Sequence, residues 1–553
     1  MFQKMIAFGI SLLLCVTSWL GVKKIETVQK ELPGETEQNL NAGKVSVHDP
    51  SIVKTDGKYY VFGSHLGVGR SDDLVFWGLL TAGVNDNARI LVPEGQTLRQ
   101  ALSEPLAWTD ALQIVRGDAE EDLQTAIWAP DVIYNEKMGK YCMYACSSVW
   151  GTPHSVIWLA TADDVEGPYA YQKSLIYSGF NKKTQLGFFP KNALHYLYTN
   201  IGDLIKDGVF TKKEIERQFW FGADGGYDVS LGRMPNAIDP TVFYDAQGGL
   251  WLCYGSFSGG VYVMPLKEET GLPDYEYMRN TEGYDIYFGR QISKTNEETD
   301  GSGEGPYIVY DAESGYYYFY LTYGGLGATD RYQIREYRSQ SPDGDYLDAA
   351  ENNALDMKST GLILFGNYRF AEHERAYLSG GHSSSFIDDD GKMFQAYHTR
   401  FNDGVGYFRT TVHQMAVNED GWAVTLPLEY AGETISRNGY SADEICGEYE
   451  FITHESKPLK TDIRYDWSNI EETVNTPVSV VLLPDGTIAE NGETIGVWQI
   501  TVNTPYLTLT VGNEVYKGVL CVQNKENGQG STITFAACSN GNATVWGVKK
   551  INV

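Results

Sequence analysis

The sequence predicts an all-β protein, a five-bladed β-propeller followed by a small C-terminal β-sandwich or barrel. A hairpin pattern recurs five times between residues 48 and 399, and a different run of short alternating strands follows residue 430. The composition agrees, because 59 Gly, 38 Tyr and 12 Trp are typical of a chain rich in turns and strands. With 553 residues the chain exceeds one ordinary core, so we expect two domains.

The N-terminus has the pattern of a targeting segment. Lys4 precedes an apolar stretch over residues 5–22, and Lys23 and Lys24 follow it. This pattern is typical of an export signal or a signal anchor. No A-x-A cleavage site follows, and the apolar stretch is long enough to remain as an anchor. We assign residues 1–30 to a signal peptide or anchor plus the start of a linker, and expect a secreted or cell-surface protein.

The repeated pattern is a proline, an apolar strand, a turn with glycine and a second strand rich in Tyr or Trp. Its copies are HDPSIVKTDGKYYVFGSH (48–65), APDVIYNEKMGKYCMYACS (129–147), IDPTVFYDAQGGLWLCYGS (238–256), EGPYIVYDAESGYYYFYLT (304–322) and, without the proline, GHSSSFIDDDGKMFQAYHT (381–399). Proline suits the start of a strand, and the glycine turns predict hairpins. Five such units predict a propeller over residues 31–432, whose radial closure protects the sheet edges. A β-sandwich is the structural alternative, but it does not explain five similar units.

Two further segments complete the domain assignment. Residues 181–236 interrupt the repeat and contain a predicted short helix within TNIGDLIKDGVFTKKEIERQFWF (199–221), which we interpret as a long excursion between blades. Residues 433–553 show short alternating strands and are predicted to form the compact C-terminal β domain.

The charge of the chain limits its partners. Lys plus Arg number 43 and Asp plus Glu number 72, which gives a formal net charge of −29. Such a field repels phosphate backbones, anionic membrane surfaces and strongly acidic polymers. We therefore expect no nucleic acid partner, and no membrane contact apart from the N-terminal anchor. A neutral polymer is easier to accommodate.

Three carboxylates lie where innermost strands of different blades begin. Asp49 and Asp239 each directly precede a proline, and Glu304 comes two residues before Pro306. Because the first strand of each blade lines the central channel, these residues converge at one mouth. Crowded carboxyl groups acquire different pKa values, so one can stay protonated while another is ionised. Hydrolysis of a glycosidic bond needs such a pair. Taken singly, an Asp-Pro step is also a common turn, and Glu304 could be a surface acid.

Taken together, these motifs resemble those of a known enzyme family. HDPSIV, WAPDVIY, MPNAIDPTVF, GEGPYIVY and GGHSSSF closely resemble the family 43 glycoside hydrolases, in particular the two-domain bacterial endo-α-1,5-L-arabinanases. The resemblance extends over about residues 45–550, since GEYEFITH and TVWGVKK resemble that family's accessory domain. It implies that Asp49 is the general base and Glu304 the general acid. Asp239 would raise the pKa of Glu304 and hold it in place.

The resemblance also implies a metal. His382 matches a histidine that the arabinanases direct toward an ion in the channel, usually calcium. Calcium prefers oxygen ligands, so the remaining ligands would have to be mainly water. A hydrogen-bonded structural histidine is the alternative. Ser383 stands where many relatives have Asn, which alters the surroundings of the ion.

Candidate substrate contacts are less specific. We propose Trp128 for stacking on a sugar face, Asn236 beside Asp239, Ser256 in YGSFSGG, and His48. His398 and Arg400 are further candidates for the lining. Trp128, Asn236 and Ser256 each have an ordinary structural alternative. Trp128 could fill the channel wall, Asn236 could cap a turn and Ser256 could end a strand.

These observations predict an exported, monomeric inverting glycosidase. The predicted substrate is a neutral polysaccharide, arabinan of pectin side chains, cut internally at α-1,5-linked L-arabinofuranose units in an open groove. An exo-acting α-L-arabinofuranosidase or β-xylosidase with a pocket is the nearest alternative. A carbohydrate-binding propeller without catalysis is an alternative of a different class.

Overall fold

The computed structural model describes residues 43–550 except for 82, 117–125, 184, 187–188, 191–193, 229–233, 295–302, 357–358 and 456–464. The signal or anchor predicted at residues 1–30 lies outside the described residues. The helices within the described part of the chain are all too short or too polar to traverse a lipid bilayer.

Five antiparallel sheets follow one another along the chain, and each is built mainly from consecutive strands. The strands are β1 (Ser51–Thr55), β2 (Lys58–Gly63), β3 (Gly67–Ser71) and β4 (Trp77–Thr81) in blade 1; β5 (Trp128–Asn135), β6 (Lys140–Ser148), β7 (Ser155–Ala162) and β8 (Ala170–Tyr177) in blade 2; β11 (Thr241–Tyr244), β12 (Leu250–Ser256), β13 (Gly260–Lys267), β14 (Leu272–Pro273) and β15 (Arg290–Ser293) in blade 3; β16 (Glu304–Asp311), β17 (Tyr316–Tyr323), β18 (Gln333–Ser339) and β19 (Leu362–Phe365) in blade 4; and β20 (Tyr377–Ile387), β21 (Met393–Phe401), β22 (Phe408–Val417) and β23 (Ala423–Thr425) in blade 5. A short two-stranded ribbon, β9 (Gln185–Leu186) with β10 (Phe189–Pro190), lies between blades 2 and 3 in the chain.

The blades close into a ring around their first strands. β1 contacts β5, β5 contacts β11, β11 contacts β16, β16 contacts β20, and β20 contacts β1. The chain before β1 fastens the closure, because the Thr410 amide in β22 donates to the Val45 carbonyl at 2.9 Å and the Thr410 hydroxyl donates to the Val47 carbonyl at 3.0 Å. The predicted five-bladed β-propeller is confirmed.

The helices lie in the connections between blades and, in blade 3, between β14 and β15. These are α1 (Leu98–Ala101), α2 (Ser103–Arg116), α3 (Asn200–Lys206), α4 (Lys212–Arg217), α5 (Tyr275–Asn280) and, after the propeller, α6 (Ala442–Ile445). Where one short helix was predicted in residues 199–221, the chain forms two. Thr199 caps the first, and Thr211 forms a capping box with Glu214 at the second. The sequence interpretation had no helices between blades 1 and 2, where α1 and α2 lie.

The C-terminal domain is a closed eight-stranded barrel, so of the two predicted forms the barrel is the correct one. Its strands are β24 (Gly447–His454), β25 (Val478–Leu482), β26 (Thr487–Glu490), β27 (Glu493–Ile500), β28 (Tyr506–Val511), β29 (Glu514–Asn524), β30 (Ser531–Ser539) and β31 (Thr544–Lys549). β31 pairs with β24 and closes the barrel. The predicted division between residues 432 and 433 falls in the connection from β23 to β24.

The barrel packs directly on the propeller. One hydrophobic cluster contains both Phe365 of blade 4 and Trp546 of the barrel, whose ring centroids are 5.6 Å apart. The Thr544 hydroxyl of the barrel donates to the Ile363 carbonyl of blade 4 at 2.5 Å. Burial of shared apolar surface holds the two domains in contact.

Candidate active site

The five blades share one unusual backbone feature, a left-handed residue just before the innermost strand or within it. The residues, with φ in parentheses, are Asp49 (51°), Ala129 (40°), Asp239 (54°), Gly305 (56°) and His382 (49°). Four of them precede a proline, and the fifth precedes Ser383. Non-glycine residues with positive φ are uncommon and concentrate at functional sites. We call the end of the channel at these five residues the mouth.

This conformation explains which side chains meet at the mouth. Asp49, Asp239 and His382 occupy equivalent positions in three blades, so their side chains converge. The equivalent residue of blade 4 is Gly305, and a Cβ there would lie 2.9 Å from Cγ of His382. Glycine therefore leaves room for the imidazole, and the catalytic candidate Glu304 precedes the equivalent position by one residue.

Asp49 is surrounded by donors. Its Oδ2 accepts from Nδ1 of His48 at 2.8 Å and from the Ser64 hydroxyl at 2.5 Å, and its Oδ1 lies 3.1 Å from Nδ1 of His382. Burial opposes ionisation, but the charges of His382 and His48 and their hydrogen bonds outweigh it and hold the pKa of Asp49 well below its usual range. Asp49 is therefore an ionised acceptor at neutral pH.

Glu304 has the opposite character. Burial and, after it, the charge of Asp239 raise the pKa of Glu304 to about 8. The Tyr332 hydroxyl donates to Oε1 at 2.7 Å, and the Ser256 hydroxyl lies 3.3 Å from Oε2. These hydrogen bonds fix the carboxyl group, and the group stays protonated at neutral pH. It can act as a proton donor.

Asp239 links the two electrostatic environments. Its Oδ2 accepts from the amide of Gly305, the neighbour of Glu304, at 3.1 Å. Burial raises the pKa of Asp239 to about 6, against the lowering effect of the His382 charge. Asp239 thus both positions the backbone beside Glu304 and places negative charge near its carboxyl group.

His382 balances this negative charge. Burial disfavours its cation, but the charges of Asp49, Asp239 and Glu304 raise the pKa of His382 to about 9. Its backbone amide donates to the Thr322 hydroxyl at 2.9 Å, which fixes the left-handed turn.

A stack of rings connects the surroundings of Asp49 and Glu304. The rings of His48 and His398 stack at 4.1 Å, and His398 stacks on Tyr332 at 5.7 Å. Nδ1 of His398 accepts from the Asp49 amide at 3.3 Å, and burial holds the pKa of His398 well below its usual range. The neutral ring therefore carries its proton on Nε2, an atom without a hydrogen bond to any described residue.

The structure adds one buried carboxyl group that the sequence interpretation missed. Asp131 follows the proline of blade 2, and its Oδ1 accepts from the Ser51 hydroxyl of blade 1. Its Oδ2 accepts from the Val242 amide at 2.6 Å and the Thr241 hydroxyl at 3.2 Å, both in blade 3. Asp131 thus ties three blades together below the mouth. The sequence signal was a shared position. Asp131 directly follows Pro130, as Ser51 and Thr241 directly follow the prolines of blades 1 and 3.

The predicted substrate contacts separate into distinct groups. His48 and Ser256 contact the carboxyl groups described above. Asn236 is buried, and its Oδ1 accepts from the hydroxyls of Ser155 at 2.6 Å and Ser178 at 3.3 Å. The structure thus places Asn236 in a network that joins the end of blade 2 to blade 3. Arg400 donates from Nε to the Leu326 carbonyl at 2.8 Å.

Trp128 forms part of an aromatic edge. It is half-buried, and its ring meets that of Trp150 edge-on with centroids 5.8 Å apart. Trp150, in the connection from β6 to β7, is 71% exposed. The sequence interpretation missed Trp150, because a single aromatic residue in a turn carries no periodic signal.

The donor set fits a calcium ion only in part. Nδ1 of His382 faces Asp49, which leaves Nε2 for a metal, and the nearby carboxyl groups supply the charge that attracts a cation. A single nitrogen is a poor calcium ligand, so water oxygens would have to complete the coordination. Among described residues, the ligand atoms of His48, Asp49 and His398 lie within 4.8 Å of one another. Nδ1 of both histidines, however, is already hydrogen-bonded to Asp49.

An ionised carboxylate and a protonated carboxyl group at the mouth of a five-bladed ring define a propeller enzyme of the kind that hydrolyses glycosidic bonds. The model of the glycosyl hydrolases family 43 matches residues 224–423, and that of its C-terminal lipocalin-like domain matches residues 427–547. The extracellular endo-α-(1→5)-L-arabinanase of Thermotoga petrophila is 34% identical over 91% of this chain and 93% of its own. Extracellular endo-α-(1→5)-L-arabinanase 2 of Bacillus subtilis is 34% identical over 92% and 93%. This chain belongs to glycoside hydrolase family 43.

Solved structures give the same result. The crystal structure of the endo-1,5-α-L-arabinanase of T. petrophila superimposes with a TM-score of 0.71 at 32% identity, over 92% of this chain and 99% of that one. A family 43 glycoside hydrolase of Bacillus licheniformis gives 0.72 at 30% identity, over the same shares. The similarity therefore extends over both the propeller and the barrel.

Proposed function

We propose that this protein is a secreted, inverting endo-α-1,5-L-arabinanase that cuts arabinan. The observation that carries the chemistry is the pair of opposite pKa shifts, with Asp49 ionised and Glu304 protonated in one buried mouth. The similarity to extracellular arabinanases over both domains supports the substrate and the location outside the cell. A monomer is part of the proposal.

The two carboxyl groups divide the reaction between them. Asp49 accepts a proton from the attacking water, and Glu304 gives its proton to the oxygen of the departing sugar. His48 and His382 keep Asp49 ionised until it takes up that proton. Burial and the charge of Asp239 keep Glu304 protonated at neutral pH, and Asp239 also holds the adjacent Gly305 amide in place. The base ends protonated and the acid ionised, so one proton returns through water before the next cycle.

Calcium at His382 is a second part of the proposal. His382 would offer Nε2, because Nδ1 is directed at Asp49. When bound, the ion would supply positive charge at the position where the imidazolium proton otherwise stands. His382 would then be neutral, and its ring would still orient Asp49.

Product analysis on debranched arabinan tests the function, with Glu304→Ala as the inactive control. Mixed oligosaccharides early in the reaction are expected from internal cutting. Arabinose alone would indicate an exo-acting enzyme, and tight retention on arabinan without products would indicate a binding propeller. Proton NMR of the first products tests inversion, because the new reducing end should appear as the β-anomer.

A further inference from the structure

The strand directions decide which connections surround the mouth. Beyond its mouth residue the first strand of each blade leads away from the mouth, and the antiparallel second strand returns to it. The connections from the second to the third strand therefore lie at the mouth. In blade 4 this connection is residues 324–332, and in blade 5 it is residues 402–407.

The C-terminal domain extends to both of these connections. Between β24 and β25, Tyr465 lies under the guanidinium of Arg331, 5.0 Å from its ring centroid. Arg331 is the neighbour of Tyr332, which donates to Glu304. One segment of the barrel domain is thus connected to the proposed acid through two intervening residues, Arg331 and Tyr332.

A second contact of the barrel domain is made by Trp467, which lies against Gly406 of blade 5. A Cβ on Gly406 would lie 3.3 Å from Cζ2 of Trp467 and 3.4 Å from Cβ of Ala328, so the glycine lets the indole lie against the blade 5 connection at the point where that connection approaches blade 4. Arg400 donates to the Gly406 carbonyl from one nitrogen and to the Leu326 carbonyl from another. Since side chains two apart on a strand share a face, Arg400 lies on the same side of β21 as His398, which contacts Asp49.

The indole ring of Trp467, held in place by these contacts, is partly exposed to solvent. Trp467 is 41% exposed and Tyr407, beside Gly406, is 43% exposed. An aromatic ring half-open to solvent and fixed by backbone on one side offers a flat apolar face to the C–H face of a sugar. A neutral chain needs no counter-charge for such a contact.

We propose that Trp467, carried by the barrel domain, is a sugar-stacking platform for the arabinan chain at the blade 4 and 5 side of the mouth, remote from the bond that is cut. The inference rests on the proposed function and extends it, because it gives the C-terminal domain a part in binding long substrates. Binding energy from a remote platform benefits a polymer and not a substrate too short to reach it.

The test compares Trp467→Ala with Trp467→Phe, which keeps an aromatic face, and with Phe76→Ala. Phe76 is 66% exposed in the connection from β3 to β4, which lies at the end opposite the mouth. On debranched arabinan, Trp467→Ala should raise KM about five- to tenfold with kcat nearly unchanged. On arabinotriose the change should stay within about twofold. Trp467→Phe should recover most of the loss, and Phe76→Ala should match the parent protein. Equal losses on polymer and trisaccharide, or no loss on either, would overturn the proposal.

A binding measurement separates this proposal from the proposed function. In gels that contain debranched arabinan, the Glu304→Ala protein should be retarded, and the additional Trp467→Ala change should reduce the retardation. If the parent protein releases no products but its retardation depends on Trp467, the proposed function fails and the platform stands. If retardation is absent, or unaffected by Trp467→Ala in a protein of unchanged melting temperature, the platform is wrong.

Discussion

The proposed acid has two neighbours that push its pKa in opposite directions, so two substitutions should move the pH profile in opposite directions. The charge of Asp239 raises the pKa of Glu304, while the hydrogen bond from Tyr332 at 2.7 Å lowers it. Only protonated Glu304 can donate, so kcat/KM should fall as the pH rises through about 8. Asp239→Asn should move this alkaline limb down, and Tyr332→Phe should move it up.

The sizes of the two expected pKa shifts of Glu304 follow from its contacts. A neighbouring like charge within a buried site changes a pKa by about 1 to 3 units, so we expect a downward shift of that order for Asp239→Asn. A hydrogen bond to a charged group contributes about 1.5 to 3 kcal/mol in favour of the ionised form, which corresponds to an upward shift of about 1 to 2 units for Tyr332→Phe. Both variants should also lose activity, because Asp239 fixes the Gly305 amide and Tyr332 fixes Oε1.

The assay is kcat/KM on a chromogenic or soluble arabinan from pH 5 to 10. Tyr318→Phe is the matched control. Tyr318 lies in blade 4, its buried hydroxyl donates to the Gly421 carbonyl of blade 5 at 2.9 Å, and it pairs with Val309, five residues along β16 from Glu304. Its alkaline limb should coincide with that of the parent protein. Shifts of the same sign in Asp239→Asn and Tyr332→Phe, or unshifted limbs in both, would refute the assignment of Glu304 as the acid.

Three further outcomes are expected. Asp49→Asn should lower kcat by about 10²- to 10⁴-fold because the base loses its proton acceptor, with the circular dichroism spectrum of the parent; an unfolded variant would instead assign Asp49 a structural role. Gly305→Ala should lower the free energy of unfolding by about 1 kcal/mol or more, since φ is 56° and the new Cβ would press on His382, and a melting temperature equal to the parent's would contradict this. Chelation should lower activity and added calcium should restore it, whereas His382→Ala should not respond to either; equal responses in both proteins would place the ion elsewhere.

Much of the fold was predictable because the propeller repeats a local pattern. Each Pro-strand-turn-strand copy is a hairpin signal by itself, and five copies specify the ring. The barrel was predictable only as a β domain, because the pairing of β24 with β31 joins residues about a hundred positions apart and leaves no local trace. The helices α1 and α2 lie between blades, where packing rather than repetition decides the structure.

The candidate site was predictable where it follows the repeat and not elsewhere. Asp49 and Asp239 were recognisable because a proline marks their position. The equivalence of His382 with them lacks that mark, since Ser383 replaces the proline, and the shared positive φ establishes it. Tyr332, Ser64 and Trp467 come from connections whose positions depend on the closed ring, so no spacing in the sequence points to them.

The shared backbone position also explains how one site can hold a base and an acid. Carboxylates at this position in blades 1 and 3 and an imidazole in blade 5 face a common mouth, and the pairing of Asp49 with His382 neutralises the first. Blades 2 and 4 carry Ala129 and Gly305 at this position; in blade 4 the glycine makes room for His382, and the acid is the preceding residue, Glu304. There the charge of Asp239 adds to the effect of burial on the pKa of Glu304, and the carboxyl group accepts from the Tyr332 hydroxyl. The opposite pKa shifts of Asp49 and Glu304 thus follow from their surroundings: two histidines outweigh burial at Asp49, whereas burial and the charge of Asp239 act together at Glu304.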